Sequence, residues 1–291
     1  MKNDIARTPE EAVARFVSEL TVEQVDPLRF RGMPGGGPWP RVFGGAVLAQ
    51  ASTAAARTVD RERSQHSLHA YFLRGGSNEK PIEYVVTVDR DGRTFSARHV
   101  TAMQDGDVIC DLMLSFARPQ DGIEHADAMP EAPPPEACEP QHWEPPPGID
   151  PDSLGMWPFE AREVTPDRMA EPGEDPLDIV WMKLRSPLPG DQLVHTAALV
   201  CESDGGSLSA VWRRHGPFDG RYSASLDHAL WLHRPVRWDD WLLFVTTSPV
   251  AHSARSLSLR YIYTRDGLHV ATMAQEALFR KPPPGQEGHG H

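Results

Sequence analysis

The sequence predicts an α+β fold in which a helix followed by an antiparallel meander occurs twice in tandem. Three observations carry this. An alanine-rich helical run precedes four strand-like segments in the first half, and the second half repeats that order. The third is a shared spacing. Phe43-Gly44-Gly45 and Asp204-Gly205-Gly206 stand 161 residues apart, Ala70 to Arg74 and Leu230 to Arg234 stand 160 apart, and the Asp-Gly pairs at 105–106 and 266–267 again 161. Gly-Gly and Asp-Gly are common in turns, so it is the common offset that points to duplication.

In chain order, residues 9–20 form a short leading helix: Val13, Phe16, Val17 and Leu20 recur at helical spacing behind Thr8 as N-cap and Pro9 at the first helical position. MPGGGPWPRVFGG (33–45) is a glycine- and proline-punctuated loop. AVLAQASTAAARTV (46–59) is a helix small on every face, which lets a sheet wrap closely around it. Strands are expected over 67–73, 82–91, 94–104 and 107–118, with Asp-Gly turns at 91–92 and 105–106. PEAPPPEACEP and EPPPG then mark a connection that cannot form sheet interior and is expected to wrap the surface. The resulting division is an N-terminal helical segment (1–24), a first unit (25–120), a proline-rich linker (121–177), a second unit (178–282) and a tail (283–291).

The 291 residues are 40% hydrophobic and 24% charged, ordinary for a globular chain. No stretch approaches the roughly 20 apolar residues needed to span a bilayer. The charged N-terminus lacks the apolar core of a secretory signal, so a soluble, cytoplasmic protein is expected. Cys110, Cys138 and Cys201 contain no CxxC pair. A net charge of −12 argues against nucleic-acid binding. His66 with His69, and His228 with His233, fall on opposite strand faces under strict alternation, so neither pair converges on one ion and no metal or cofactor is expected. His289 and His291 close a polar tail read as a frayed terminus.

WPRVFGGAVLAQA (39–51), HSLHAYFLRGG (66–76), DRDGRTFSARHV (89–100), SLDHALWLHRP (225–235), WLLFVTTSPVAHSARS (241–256) and YTRDGLHVATMAQEALFR (263–280) together resemble the acyl-CoA thioesterase II (TesB-like) family, over roughly 25–120 and 178–282. The resemblance implies a tandem (double) hotdog, two helices each wrapped by an antiparallel sheet with the sheets joined into one. It also implies hydrolysis of fatty acyl-CoA to free fatty acid and CoA, and a homo-oligomer, dimer or higher. The family's water-holding Asp, Ser or Thr, and Gln transfer to Asp204 in CESDGG, Ser225 in SLDH and Gln275 in MAQEA. One departure is Ala46, where the family's first helix continues Phe-Gly-Gly-Gln.

Those residue types suit thioester hydrolysis. A carboxylate accepts a proton from water while a hydroxyl and an amide, each donor and acceptor, fix its orientation. Asp204 before Gly205-Gly206 reads as the start of a helix, where an anion is favoured and where capping is the plain alternative. Gln275 lies in an apolar strand, so its amide needs a hydrogen-bond partner. Ser225 rests on the resemblance. Backbone N–H groups of Gly45 and Ala46, or of Gly205 and Gly206, are candidate donors to the thioester carbonyl, and His66 is a secondary active-site candidate. Arg93, Arg98 and Arg255 could meet CoA phosphates or form surface ion pairs. Competing readings are a hotdog hydratase or dehydratase using an Asp/His pair, and a noncatalytic acyl-CoA-binding protein; a serine nucleophile is excluded by the absence of G-x-S-x-G. At the 161-residue offset Phe43 and Leu114 take the places of Asp204 and Gln275, so the first unit is expected to contribute scaffold and pocket.

Overall fold

The computed structural model describes residues 6–35, 41–142, 155–166, 168–215 and 222–280, so the tail histidines lie outside the described residues. Helix α1 (Pro9–Glu19) opens with a capping box: Thr8 Oγ1 accepts the Glu11 N–H and the Glu11 carboxylate accepts the Thr8 N–H. Two short strands, β1 (Glu23–Asp26) and β2 (Arg29–Gly32), follow. Sequence reading missed them: β1 is exposed at every position and shows no alternation, and β2 alternates over only four residues. Helix α2 (Gly44–Ala56) is buried from Gly45 to Ala55, as its small residues allow. Strands β3 (Ser64–Phe72), β4 (Ile82–Asp91), β5 (Phe95–Gln104) and β6 (Asp107–Ala117) complete the first unit.

The second unit contains β9 (Asp178–Leu184), α3 (Gln192–Asp204), α4 (Ser209–His215), β10 (Tyr222–Ser225), β11 (Asp227–Leu232), β12 (Leu242–His252), β13 (Arg255–Thr264) and β14 (His269–Arg280). Between the units lie β7 (Glu139–Pro140) and β8 (Phe159–Glu163). All strands form one sheet in the order β1-β2-β4-β5-β6-β3-β11-β14-β13-β12-β9-β8-β7, with β10 also on β14. The halves join where β3 pairs antiparallel with β11, from Asp227 opposite Tyr71 to Trp231 opposite Ser67. With α2 and α3 packed together on the inner face, this is the double hotdog.

The linker only partly follows expectation. Its first part covers the outer face, where Trp181 Nε1 donates to the Pro133 carbonyl at 2.9 Å over a small cluster with Trp241 and Leu243. Its later part adds β8 to the sheet: Phe159 and Ala161 alternate inward, and the Phe159 ring packs on Phe16 and Trp238.

The duplication holds for the strands. Gly106 and Gly267 end corresponding hairpins with φ of 86° and 89°, the left-handed conformation that the Asp-Gly pairs supply. It fails for the helix anchor. Phe43-Gly44-Gly45 starts α2, whereas Asp204 ends α3, and the two 13-residue helices begin 148 residues apart. The second unit inserts α4 between its long helix and its next strand, which moves the helix upstream relative to the strand offset.

Candidate active site

Asp204 is the last residue of α3, not the start of a helix. Its own helix dipole is therefore unfavourable to its charge. The compensation comes from the other unit: Asp204 Oδ2 accepts the Gly45 N–H at 2.8 Å, in the first turn of α2. Phe43, the α2 N-cap, makes no side-chain cap, so Asp204 caps that helix from across the molecule. Glycine is required for this approach. A Cβ on Gly45 would lie 2.1 Å from the Cys201 carbonyl oxygen, and one on Gly44 would lie 2.9 Å from Asp204 Oδ2. At the carbonyl end of α3 the buried Arg260 guanidinium donates to Glu202 O (3.3 Å), to Ser203 O (3.5 Å) and to Gly205 O, while its Nε donates to Thr246 Oγ1 at 2.9 Å. Burial pushes the neighbouring Glu202 carboxyl up to about 8, with Arg260 opposing and Asp204 reinforcing the rise.

Gln275, on β14, is fully buried and fully bonded. Its Nε2 donates to Ser207 Oγ at 2.8 Å and to Ser225 Oγ at 2.9 Å, and its Oε1 lies 2.5 Å from His228 Nδ1. A carbonyl oxygen only accepts, so Nδ1 carries a proton. Burial lowers the His228 pKa, against the pull of the Asp204 charge, and keeps the ring neutral. The unprotonated Nε2 then accepts the Ser203 hydroxyl at 2.9 Å. Ser203 Oγ also lies 2.8 Å from Val200 O, but its single proton goes to the ring.

The stretch Ser225 to His228 is held by local geometry rather than simple alternation. Both β10 and β11 pair with β14, and the ladder breaks between them. There the Asp227 carboxylate accepts the Glu276 N–H at 2.7 Å, Leu226 N donates to Glu276 O at 2.9 Å, and Leu226 O accepts from Phe72 N at 2.9 Å. The break turns Ser225 and His228 onto the same residue, Gln275. Asp227 is occupied with backbone and makes no proton-transfer pair with His228.

The predicted residues thus meet in two linked pairs, Asp204 with Gly45 and Ser225 with Gln275. The link is Ser207, whose N–H donates to Asp204 O at 3.2 Å and whose hydroxyl accepts from Gln275. Other candidates fall elsewhere. The Gly45 N–H is committed to Asp204, and the Ala46 N–H donates to Phe43 O at 3.2 Å inside the helix. Gly205 and Gly206 follow the carbonyl end of α3, Gly206 at φ 64°. His66 is 2.8 Å from Ser115 Oγ and edge-on to Phe95. It lies four residues along β3 from Ala70, the partner of His228, or about 13 Å. Arg98 is buried, donating to the Thr58 carbonyl and hydroxyl at 2.9 Å beyond the end of α2, and Arg255 pairs with Glu276 at 2.9 Å.

Sequence reading missed His228, Ser203 and Ser207. Alternation with the buried Leu230 was the available signal for His228; a serine in a turn offered none for Ser207. Among the described residues no group of three or more His, Cys, Asp or Glu is arranged to hold a metal ion, and no helix is long and apolar enough to cross a membrane. In the first unit Leu68 and Leu114 pair across β3 and β6 where the second unit has His228 and Gln275.

Comparison with known proteins identifies the family. Residues 36–117 match the family described as Acyl-CoA thioesterase N-terminal domain, and residues 156–278 match the family described as Acyl-CoA thioesterase. The chain is 32% identical to human Acyl-coenzyme A thioesterase 8, over 91% of this chain and 88% of that protein. It is also 32% identical to Acyl-CoA thioesterase 2 of Haemophilus influenzae, over 90% and 95%. The crystal structure of acyl-CoA thioesterase II TesB2 from Mycobacterium marinum superposes with a TM-score of 0.78 at 38% identity, covering 91% of this chain and 98% of that one. From its two halves, its joined sheet and these relatives, the chain belongs to the acyl-CoA thioesterase family.

Proposed function

We propose that the protein hydrolyses fatty acyl-CoA to free fatty acid and CoA, with Asp204, Ser225 and Gln275 holding and activating the attacking water. The observation that supports this reading is the clasp at Gln275, which draws together the Asp204–Ser207 turn and the Ser225–His228 break. Water gives a proton to the Asp204 carboxylate as its oxygen bonds to the thioester carbon and the carbonyl electron pair moves to oxygen. Collapse breaks the C–S bond, and the thiolate of CoA takes the proton back from Asp204. Purified protein should release free thiol from palmitoyl-CoA, and Asp204→Asn should lower the rate about a hundredfold or more with the fold intact. An asparagine variant as fast as wild type overturns the mechanism.

The reading extends to a homo-oligomer. Its support is the pair Tyr71 and Trp231, left exposed where β3 meets β11. A monomer mass by light scattering at micromolar concentration overturns it.

A further inference from the structure

A tetrahedral intermediate needs a donor for the oxygen that becomes negative, and several N–H groups near Asp204 are already engaged. Gly45 N–H is spent on the Asp204 carboxylate and Ala46 N–H on the Phe43 carbonyl, so the glycine start of α2 has neither to give. The Gln275 amide has two N–H protons, one on Ser207 Oγ at 2.8 Å and one on Ser225 Oγ at 2.9 Å. Its carbonyl oxygen faces His228 Nδ1. Gln275 therefore has no proton left for substrate. Each serine, having accepted from the amide, retains its own O–H proton, and a hydroxyl that accepts a hydrogen bond becomes a stronger donor.

The two serines leave the amide in different directions. Ser225 sits at the end of β10, while Ser207 sits three residues after Asp204, on the turn whose backbone it shares. Ser207 is 3% exposed, so an interaction made there is sheltered from bulk water.

We propose that Ser207 is a further catalytic hydroxyl of this site, donating its O–H to the thioester carbonyl oxygen while Ser225 holds the water. This rests on the thioesterase reading above. As the water oxygen bonds to the carbonyl carbon, the carbonyl electron pair moves onto the oxygen facing Ser207, and the O–H···O bond strengthens without proton transfer. When the intermediate collapses, the pair returns to re-form C=O, the C–S bond breaks, and Ser207 ends unchanged. Gln275 acts on both hydroxyls from behind, held in that orientation by His228.

The test compares rates with binding of two inert analogues in the full-length protein. Ser207→Ala should lower kcat for palmitoyl-CoA about a hundredfold, the usual loss for one oxyanion donor, with little change in KM. It should weaken, by a similar factor, a difluoromethylene ketone analogue of palmitoyl-CoA, with CF2 at the acyl α-carbon and CH2 between carbonyl and sulfur, whose hydrated carbonyl mimics the tetrahedral intermediate. It should leave unchanged the binding of a hexadecyl-CoA thioether, which has no carbonyl at the position of the thioester. Ser207→Cys, close to serine in shape but with only a weak S–H donor, should fold and show the same loss of kcat and of ketone binding should the alanine variant fail to fold. Wild-type kcat in either folded variant overturns the proposal, as does equal loss of both analogues, the signature of a serine that only props Gln275. A wild-type protein with no hydrolysis of acyl-CoA sinks the thioesterase reading itself, and is a distinct result.

Discussion

The carboxylate of Asp204 and the backbone N–H of Gly45 meet at 2.8 Å although they belong to different halves of the chain. The carbonyl end of one central helix thereby supplies the cap for the amide end of the other, and the carboxylate is held by the positive end of a dipole not its own. The site depends on how closely α2 and α3 approach, and the glycines at 44 and 45 set that distance.

Gly45→Ala should therefore damage fold and site together. Its Cβ would stand 2.1 Å from a backbone oxygen that no rotamer change can move. We expect a loss of about 1–3 kcal/mol from overpacking, read as a lower Tm. We also expect at least a tenfold fall in kcat for palmitoyl-CoA as Asp204 loses its donor. An alanine variant with wild-type Tm and rate contradicts the helix-contact account.

His228→Leu places in the second unit the residue that the first carries at Leu68. The fold should persist, at a cost of about 1–3 kcal/mol for the Gln275 carbonyl left without its partner, while the Ser203 hydroxyl turns to the Val200 carbonyl. Activity should fall more than tenfold because the amide is free to turn. The sign of the pH effect follows from burial. His228 is kept neutral in the fold and takes up a proton more readily when unfolded, so stability is lost as pH drops below about 6.5. Melting curves from pH 7 to 5 should be flatter in the leucine variant; unchanged slopes argue against a buried neutral histidine.

Glu202 has the opposite sign. Its folded carboxyl is raised to about 8, so between the unfolded value near 4.5 and about 8 the folded chain binds a proton that the unfolded chain releases. Its contribution is complete below that window and is lost as pH rises through it. Glu202→Gln should remove the loss, raising Tm at pH 8 by several degrees relative to wild type and by less at pH 5. Equal shifts at both pH values count against the assignment.

Arg260→Met removes the donor shared by three carbonyls at the end of α3 and leaves Glu202 and Asp204 without their buried cation. A loss of about 3–5 kcal/mol is expected from denaturant titration. A methionine variant of wild-type stability shows that the helix end is satisfied by other means.

Much of the protein was legible in its residues. Alternation marked β4, β5 and β6 nearly to their ends, Asp-Gly marked both corresponding hairpins, and Thr8-Pro9 marked the first turn of α1. These signals are local, set by side-chain periodicity and by φ/ψ preferences of two or three residues. Leu114, which the common offset sets against Gln275, is likewise buried on β6. The resemblance carried by SLDH and MAQEA singled out Ser225 and Gln275, which the structure brings into hydrogen bond.

The tertiary structure decided what those residues touch. Asp204-Gly205-Gly206 and Phe43-Gly44-Gly45 look alike in sequence, yet one ends a helix and the other begins one, because α4 lengthens the second unit after its central helix. Ser207 and His228 enter the site through contacts spanning 68 and 47 residues to Gln275. Local preference determines where a helix or strand runs. Which carboxylate faces which amide, and which N–H groups are already taken, is determined by packing two distant helices against one joined sheet, and that follows from close approach in three dimensions and from no pattern along the chain.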